Sequence, residues 1–431
     1  MSDTAICRAA MISAPASGQG KTTVTAALAR HFADRGERIT VFKTGPDFLD
    51  PKLLERACGT PVYQLDLFMG GEAHCRSLLF AAAQRSDVVL IEGVMGLYDG
   101  APSSADLAAR FGVPIFAVID ASAMAGTFGA IVHGLATYRS DVKFAGAIAN
   151  RVGSERHAEM LRSATCPGRP LVAYLPRLAE ISMPERHLGL VQAEEIAALD
   201  SRIARAATEI GARLRGEIPI VEFEADAAED EPEPLLRGCR VAIARDAAFS
   251  FLYAANLELL RRMGAQLAFF SPLNGDNLPS CDALYLPGDY PELHLEELQK
   301  HTSLKDAIRD HYHDGKPILA ECGGLLYLLE DLVDANGSSG SFVGLLKGRA
   351  RMQSCLAALA LQSVKLPEGT LRGHTFHHSV AEIAESPIAG GVCPNNTQTS
   401  ERVYRKGRLT ASYIHFYFPS NPKAAARLFQ A

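Results

Sequence analysis

The chain has 431 residues, 48% of them apolar and 21% charged, with a formal net charge of −6. Such a balance predicts a globular protein of two or three domains, and it argues against nucleic acid or an anionic membrane surface as partner. No apolar run reaches the ~18 residues a membrane span needs, the N-terminus is too polar for a signal peptide, and nine scattered cysteines without a C-x-x-C pair argue against a zinc site or a disulfide framework. A cytoplasmic location is expected.

In chain order, residues 9–15 (AAMISAP) form a short apolar run. A Gly-bearing loop follows, then a helical pattern, KTTVTAALARHFADRG, that ends at Gly36. ERITVFK, DVVLIEG (87–93), VPIFAVID (113–120) and VKFAGAIAN (142–150) predict further strands, with helical patterns between them and PLVAYLPR (170–177) as one more candidate. These runs are continuously apolar rather than alternating. That implies burial on both faces, hence a parallel sheet wrapped by helices. The helical stretch 193–218 leads into the acidic, proline-bearing EFEADAAEDEPEP (222–234), which cannot build a core and predicts a linker. Strand and helix patterns then restart with CRVAIARD, FLYAANLELLRRMGAQLAFF, ALYLPGDYPE and PILAECGG. The expected organisation is an α/β nucleotide-binding domain over 1–221, an acidic linker over 222–236 and a second α/β domain over 237–431.

The first candidate site is SAPASGQGKTT (13–23), placed after a strand and before a helix. Backbone N–H groups of such a loop, with the positive end of the helix, cradle phosphates. Gly18, Gly20, Lys21 and Thr22 fit the phosphate-loop pattern, although Pro15 stands where its first glycine belongs. Lys21 is expected to reach the β- and γ-phosphates of ATP and Thr22 to bind Mg²⁺. Glu92, where a buried strand ends, is a natural metal ligand. In VFKTGPDFLDP (41–51), Lys43 is placed to bridge the γ-phosphate and an anionic substrate, and Asp47 to share the metal. Asn150 either reads the adenine edge or caps a turn, and the residues alone leave both open.

The second candidate site is PILAECGGLLYLLE (317–330), which reads as strand, sharp turn and helix, the setting of a nucleophile elbow. Cys322 would stand at the helix N-terminus, where the helix dipole is expected to lower its pKa. The Gly323 N–H is one candidate oxyanion donor, and the backbone at Gly288, in YLPGDYPE (285–292), is a second. His415, in ASYIHFYFPSNP (411–422), is the candidate base.

Taken together, APASGQGKTT, KTGPDFLDP, IEGVMGLYDG, PERHLGL (184–190), LPGDYPELH, AECGGLLYL, RGHTFHHS (372–379) and SYIHFYFPSNP resemble the cobyrinate or hydrogenobyrinate a,c-diamide synthase family. Its members join a dethiobiotin-synthetase-like ATPase domain to a class I glutamine amidotransferase-like domain. The resemblance spans residues 14–422. It implies an N-terminal P-loop NTPase fold and a C-terminal amidotransferase fold. It also implies a ligase that activates the c and then the a carboxylate of a corrinoid diacid as acyl phosphates, with ammonia drawn from glutamine. Cys322 would be the glutaminase nucleophile and His415 its partner. Arg186 and His187 are candidates for gripping corrinoid carboxylates, and a homodimer is implied. Asp289 replaces a usual Gly, Thr375 a usual Glu and Ala320 a usual Gly, and His415 lacks a following His-x-Glu carboxylate, which leaves a Cys–His dyad. The competing reading is a partition-type ATPase switch carrying an inactive amidotransferase-like interaction module. Ala16, standing where those switches carry an extra lysine, argues against it.

Overall fold

The computed structural model describes residues 4–182, 196–225, 231–395 and 399–430. They divide into two compact units, Met1–Leu67 with Gly71–Glu229, and Phe68–Gly70 with Asp230–Ala431. Among the described residues no helix is long and apolar enough to cross a membrane.

The first unit runs β1 (Thr4–Ser13), α1 (Lys21–Asp34), β2 (Ile39–Thr44), α2 (Leu49–Cys58), β3 (Tyr63–Leu65), α3 (Gly71–Arg85), β4 (Val88–Glu92), α4 (Ser104–Arg110), β5 (Ile115–Asp120), α5 (Gly126–Thr137), β6 (Phe144–Val152), α6 (Glu155–Ala164), β7 (Leu171–Pro176), α7 (Leu199–Gly211) and β8 (Ile220–Glu224). The sheet order is β3-β2-β4-β1-β5-β6-β7, with parallel pairing throughout that path. The continuous apolar strands explain why. In β1, Ala10 and Ile12 join one core with Val24 and Leu28 of α1, while Ala9 and Met11 join the opposite core with Leu79 and Ala82 of α3. A strand with apolar side chains on both pleats can only be buried between two helical layers.

The acidic stretch read as a linker begins inside a strand. Residues 222–224 belong to β8, which pairs antiparallel with β1 from Thr4↔Glu224 to Arg8↔Ile220. Val221 and Phe223 are buried while Glu222 between them and Glu224 after them face outward, so charge and core membership coexist at period two.

The second unit runs β9 (Arg240–Ala244), α8 (Ala254–Arg262), β10 (Gln266–Phe270), β11 (Ala283–Leu286), α9 (Leu295–Lys300), α10 (Thr302–His313), β12 (Ile318–Glu321), α11 (Gly323–Leu328), β13 (Asp331–Val333), β14 (Ser339–Ser341), β15 (Gly348–Met352), β16 (Ala358–Leu366), β17 (Gly369–His377), β18 (Ser379–Ile383), β19 (Pro387–Gly390), β20 (Arg402–Lys406), β21 (Leu409–Ser412), β22 (His415–Tyr417) and α12 (Pro422–Arg427). Seven strands form the sheet β10-β9-β11-β12-β21-β20-β19. Two smaller sheets, β14-β13-β15-β18 and β16-β17-β22, stand beside it in sequence and carry antiparallel pairs. This antiparallel portion goes beyond the simple strand–helix alternation expected from the sequence.

Candidate active sites

Strand register assembles the first site. β4 lies between β1 and β2, and Glu92 is paired with Ile12 on one side and Lys43 on the other. Its carboxylate therefore points between the loop that leaves β1 and the loop that leaves β2. Glu92 Oε1 accepts the Thr22 hydroxyl at 2.7 Å and the Lys43 ammonium at 2.9 Å. Lys43 also meets Asp50 at 2.5 Å and Asp47 at 3.5 Å. Lys43 and Glu92 are fully buried, and among the described residues Glu92 Oε2 meets no hydrogen-bond partner. Burial pushes the Glu92 carboxyl up to about 7 against the pull of Lys43. Burial and the Asp50 charge raise Asp47 to about 6. Burial alone would depress the Lys43 ammonium, but Asp50, Glu92 and Asp47 hold it well above its ordinary value. Asp50, to which the sequence reading gave no role, is thus the nearest carboxylate to Lys43.

The loop itself is shaped by two glycines. Gly18 and Gly20 have φ of +77° and +90°, and Gly20 caps α1. Lys21 folds back so that its ammonium donates to the carbonyls of Met95 (2.6 Å) and Ala16 (3.2 Å). Burial and the Lys43 charge hold its pKa below the usual value. Asn150 lies within β6, where its amide donates to the Gln19 carbonyl at 3.0 Å and its oxygen accepts the Arg151 N–H at 2.9 Å. It therefore braces the loop. A Cβ on Gly20 would lie 2.1 Å from Asn150 Nδ2, whereas one on Gly18 would meet nothing within 4 Å. Gly20→Ala is accordingly expected to destabilise the first unit by about 1–3 kcal/mol and to weaken ATP binding. Gly18→Ala should cost only the torsional part, about 1 kcal/mol. Thermal unfolding and nucleotide titration of the two variants check this order.

Hard oxygen donors at this site, Thr22 Oγ1, Glu92 Oε2 and the Asp47 and Asp50 carboxylates, suit Mg²⁺. Among the described residues no three His, Cys, Asp or Glu side chains converge as a ready-made metal cage. Arg186 and His187 lie outside the described residues.

The second site is a turn under strain. Cys322 follows β12 and caps α11 with φ +46° and ψ −107°. A non-glycine residue at positive φ costs about 1–3 kcal/mol, and such strain collects where a side chain must be aimed. The Cys322 N–H is anchored on the Ser412 carbonyl at 2.8 Å. Gly288 has no unusual torsion but is required for space, because a Cβ there would lie 2.2 Å from His415 Cε1 and 3.0 Å from Cys322 Cβ. This close approach brings the Cys322 turn, the YLPGDYPE loop and His415 together. Asp289 needs no left-handed backbone either, so a side chain replaces the usual second glycine without strain; its carboxylate accepts the Ser250 N–H at 2.9 Å. Thr375 is buried in β17 opposite Ala360.

The expected lowering of the Cys322 pKa is overturned. Burial pushes the thiol well above its ordinary value and the Glu292 charge pushes it further, beyond what the Gly323 N–H recovers; Asp289 and Glu401 act in the same direction. A six-residue helix is too weak a dipole to outweigh desolvation and three carboxylates. His415 is shifted the other way, held well below its ordinary value by burial and by His374 and His377. The pair is therefore a neutral thiol and a neutral imidazole, able to accept the thiol proton during attack. Alkylation of Cys322 by iodoacetamide, followed by peptide mass, is expected to keep rising about tenfold per pH unit to pH 9 and beyond. A plateau near neutrality would contradict the neutral pair.

Residues that sequence reading did not single out complete the surroundings. His374 stacks on His415 with ring centroids 5.2 Å apart, and its Nδ1 meets the Tyr253 hydroxyl at 2.7 Å. Burial drives His374 down to about 3, so it faces His415 uncharged. The signal lay in RGHTFHHS, since β17 and β22 pair with His374 opposite His415.

Comparison with known proteins follows the same division. Residues 10–191 match the family described as CobQ/CobB/MinD/ParA nucleotide binding domain, and residues 240–423 match the CobB/CobQ-like glutamine amidotransferase domain. The chain is 60% identical over 426 residues to a hydrogenobyrinate a,c-diamide synthase of Pseudomonas aeruginosa, covering 98% of this chain and 97% of the relative. It is 58% identical over 422 residues to the protein of that name from Stutzerimonas stutzeri, covering 98% of each. It is 49% identical over 437 residues to a cobyrinate a,c-diamide synthase of Herminiimonas arsenicoxydans, covering 99% and 98%.

Proposed function

The chain belongs to the cobyrinate and hydrogenobyrinate a,c-diamide synthase family, and from that premise we propose how its two units divide the reaction. The protein is an amidating ligase of cobalamin biosynthesis that uses glutamine as nitrogen donor. Its substrate is a corrinoid diacid amidated at the a and c carboxylates, each step consuming ATP and glutamine.

In the first unit a carboxylate, a poor electrophile, becomes an acyl phosphate. A substrate carboxylate oxygen attacks the γ-phosphorus of ATP, the bond to the bridging oxygen breaks, and ADP leaves. Gly18 and Gly20 shape the loop around the phosphates, and Lys21 swings from its carbonyl partners to their oxygens. Lys43 carries positive charge between the γ-phosphate and the incoming carboxylate. Thr22, Asp47, Asp50 and Glu92 would hold Mg²⁺, which supplies charge neutralisation at the transferring phosphoryl group. Asn150 steadies the loop beside the adenine it is proposed to read. Arg186 and His187 are proposed to grip corrinoid carboxylates, a bidentate task suited to arginine.

In the second unit Cys322 gives its proton to His415 as sulfur adds to the glutamine side-chain carbonyl. The N–H groups at Gly323 and near Gly288 are proposed to receive the oxyanion. His415 returns the proton to the departing ammonia, leaving a thioester that water hydrolyses to glutamate. Ammonia attacks the acyl phosphate and phosphate leaves. The observation that carries this half is the contact set at Gly288, which brings Cys322 and His415 to one point.

The test is direct. Protein, ATP, Mg²⁺ and glutamine are incubated with cobyrinate or with hydrogenobyrinate, and product mass is followed. Two successive carboxylate-to-amide changes are expected, and the faster of the two acids identifies the substrate. ATP hydrolysis without amidation of either acid would refute the reading.

A further inference from the structure

The nucleophile and the base of the second unit stand on different sheets. Cys322 follows β12 in the seven-stranded sheet, whereas His415 opens β22, whose ladder partner is β17 in the three-stranded sheet. No ladder among the described residues joins β12 to β22 directly; the backbone tie is through β21, where the Cys322 N–H meets the Ser412 carbonyl three residues before His415, and it leaves the strand of His415 itself to be held against β12. One buried carboxyl spans the gap. Glu321, the residue before Cys322, accepts the backbone N–H of Phe416, the residue after His415, at 3.1 Å. Its other oxygen accepts the Tyr285 hydroxyl at 2.8 Å. Tyr285 lies on β11, which leads directly to Gly288. Asn256 completes the clasp, donating to the Phe416 carbonyl at 2.7 Å and accepting the Phe418 N–H at 2.8 Å. Glu321, Tyr285, Asn256 and Phe416 are all fully buried.

We propose that Glu321 is a positioning residue of the glutaminase centre, holding the strand of His415 against the strand of Cys322 through Phe416 N–H and Tyr285 OH. The proposal rests on the glutaminase reading given above. A carboxyl is costly to bury, and burial pushes this one up to about 8. An apolar residue of the same size would spare that cost but leave a backbone N–H and a phenol without acceptors. Glutamine at 321 would keep the acceptor for Phe416 and could donate to the Tyr285 oxygen. The clasp therefore needs an acceptor for the Phe416 N–H and a hydrogen-bonding partner for the Tyr285 hydroxyl, and not the negative charge. This separates positioning from a role as the acidic third member of a catalytic triad, for which the charge is essential.

Three variants test it: Glu321→Met, which keeps volume and removes the acceptors, Glu321→Gln, and Tyr285→Phe. Glutamine-driven kcat of Glu321→Met is expected to fall about 100-fold, as for a displacement near 1 Å, with KM for glutamine within about threefold. Ammonia-driven amidation should not change. Glu321→Gln should recover kcat to within about fivefold of wild type, and Tyr285→Phe should lower kcat but not KM. The proposal is overturned by a Met variant as fast as wild type, or by a Gln variant as impaired as the Met variant. It is also overturned if the Met variant fails to fold while Tyr285→Phe keeps full kcat; failure to fold with a kcat-only loss in Tyr285→Phe supports it. Wild-type protein that hydrolyses no glutamine would fail the glutaminase reading itself, which is a different result.

Discussion

Cys322→Ser is expected to lower glutamine-driven amidation by at least about 10⁴-fold while leaving ammonia-driven amidation intact. Serine fits the same strained turn, since the φ of +46° belongs to the backbone and the hydroxyl is smaller than the thiol. What it lacks is acidity. His415 is neutral and held well below its ordinary pKa by burial and by its histidine neighbours, so it is a weak base. A weak base can take a thiol proton during attack far more readily than an alkoxyl proton. Product mass with glutamine and with an ammonium salt measures both limbs, and glutamate release measures the first directly. A folded Ser variant that loses both nitrogen sources would show that Cys322 is more than the glutaminase nucleophile.

Glu92→Gln is the complementary experiment. It is expected to lower amidation on the order of 10³-fold with either nitrogen source, and added ammonia should rescue nothing. The amide is nearly isosteric, so the β4 ladder to Ile12 and Lys43 is undisturbed. It can accept one hydrogen bond from Thr22 or Lys43, but it brings no negative charge. The Thr22 hydroxyl and the Lys43 ammonium now share Glu92 Oε1. Without the carboxylate, Thr22 is no longer oriented and Lys43 is drawn wholly to Asp50 and Asp47. ADP release and product mass, each run with glutamine and with ammonium, read the outcome. Amidation restored by ammonia would place Glu92 outside the phosphoryl-transfer step.

Much of the first unit is legible because its information is local. Continuous apolar strands announce a two-sided parallel sheet, and SGQGKTT sits where β1 hands over to α1. Its site is less legible, because Asp50 reaches Lys43 through the turn that starts α2 and Asn150 reaches Gln19 across the sheet. The second unit reads less well. Its central β-α order is visible, but ALALQSVKL, with every second side chain buried in β16, signals an antiparallel strand that the expected strand–helix alternation passes over. The expectation for Cys322 fails for a related reason. A helix N-terminus can be read from neighbouring residues, whereas Glu292, Asp289 and Glu401 reach the thiol from distant segments. The same holds for Glu321, whose partners at 285 and 416 no sequence window brings together. The linker at 222–224 was readable in principle, since IVEFE alternates and its Val and Phe are buried.

The strand order also sets a timetable for biosynthesis on the ribosome. β8 completes the first sheet by pairing with β1, so everything that shapes the phosphate loop has been translated by Glu224. The second sheet is different. β12, which begins at Ile318, receives its neighbour β21 only when Leu409 and the residues after it have emerged, and His415 follows still later. A nascent chain can therefore fold its nucleotide-binding half while the glutaminase half is still an open sheet edge. Nitrogen release from glutamine becomes possible only once His415 has emerged, when the half that consumes the ammonia has already been translated.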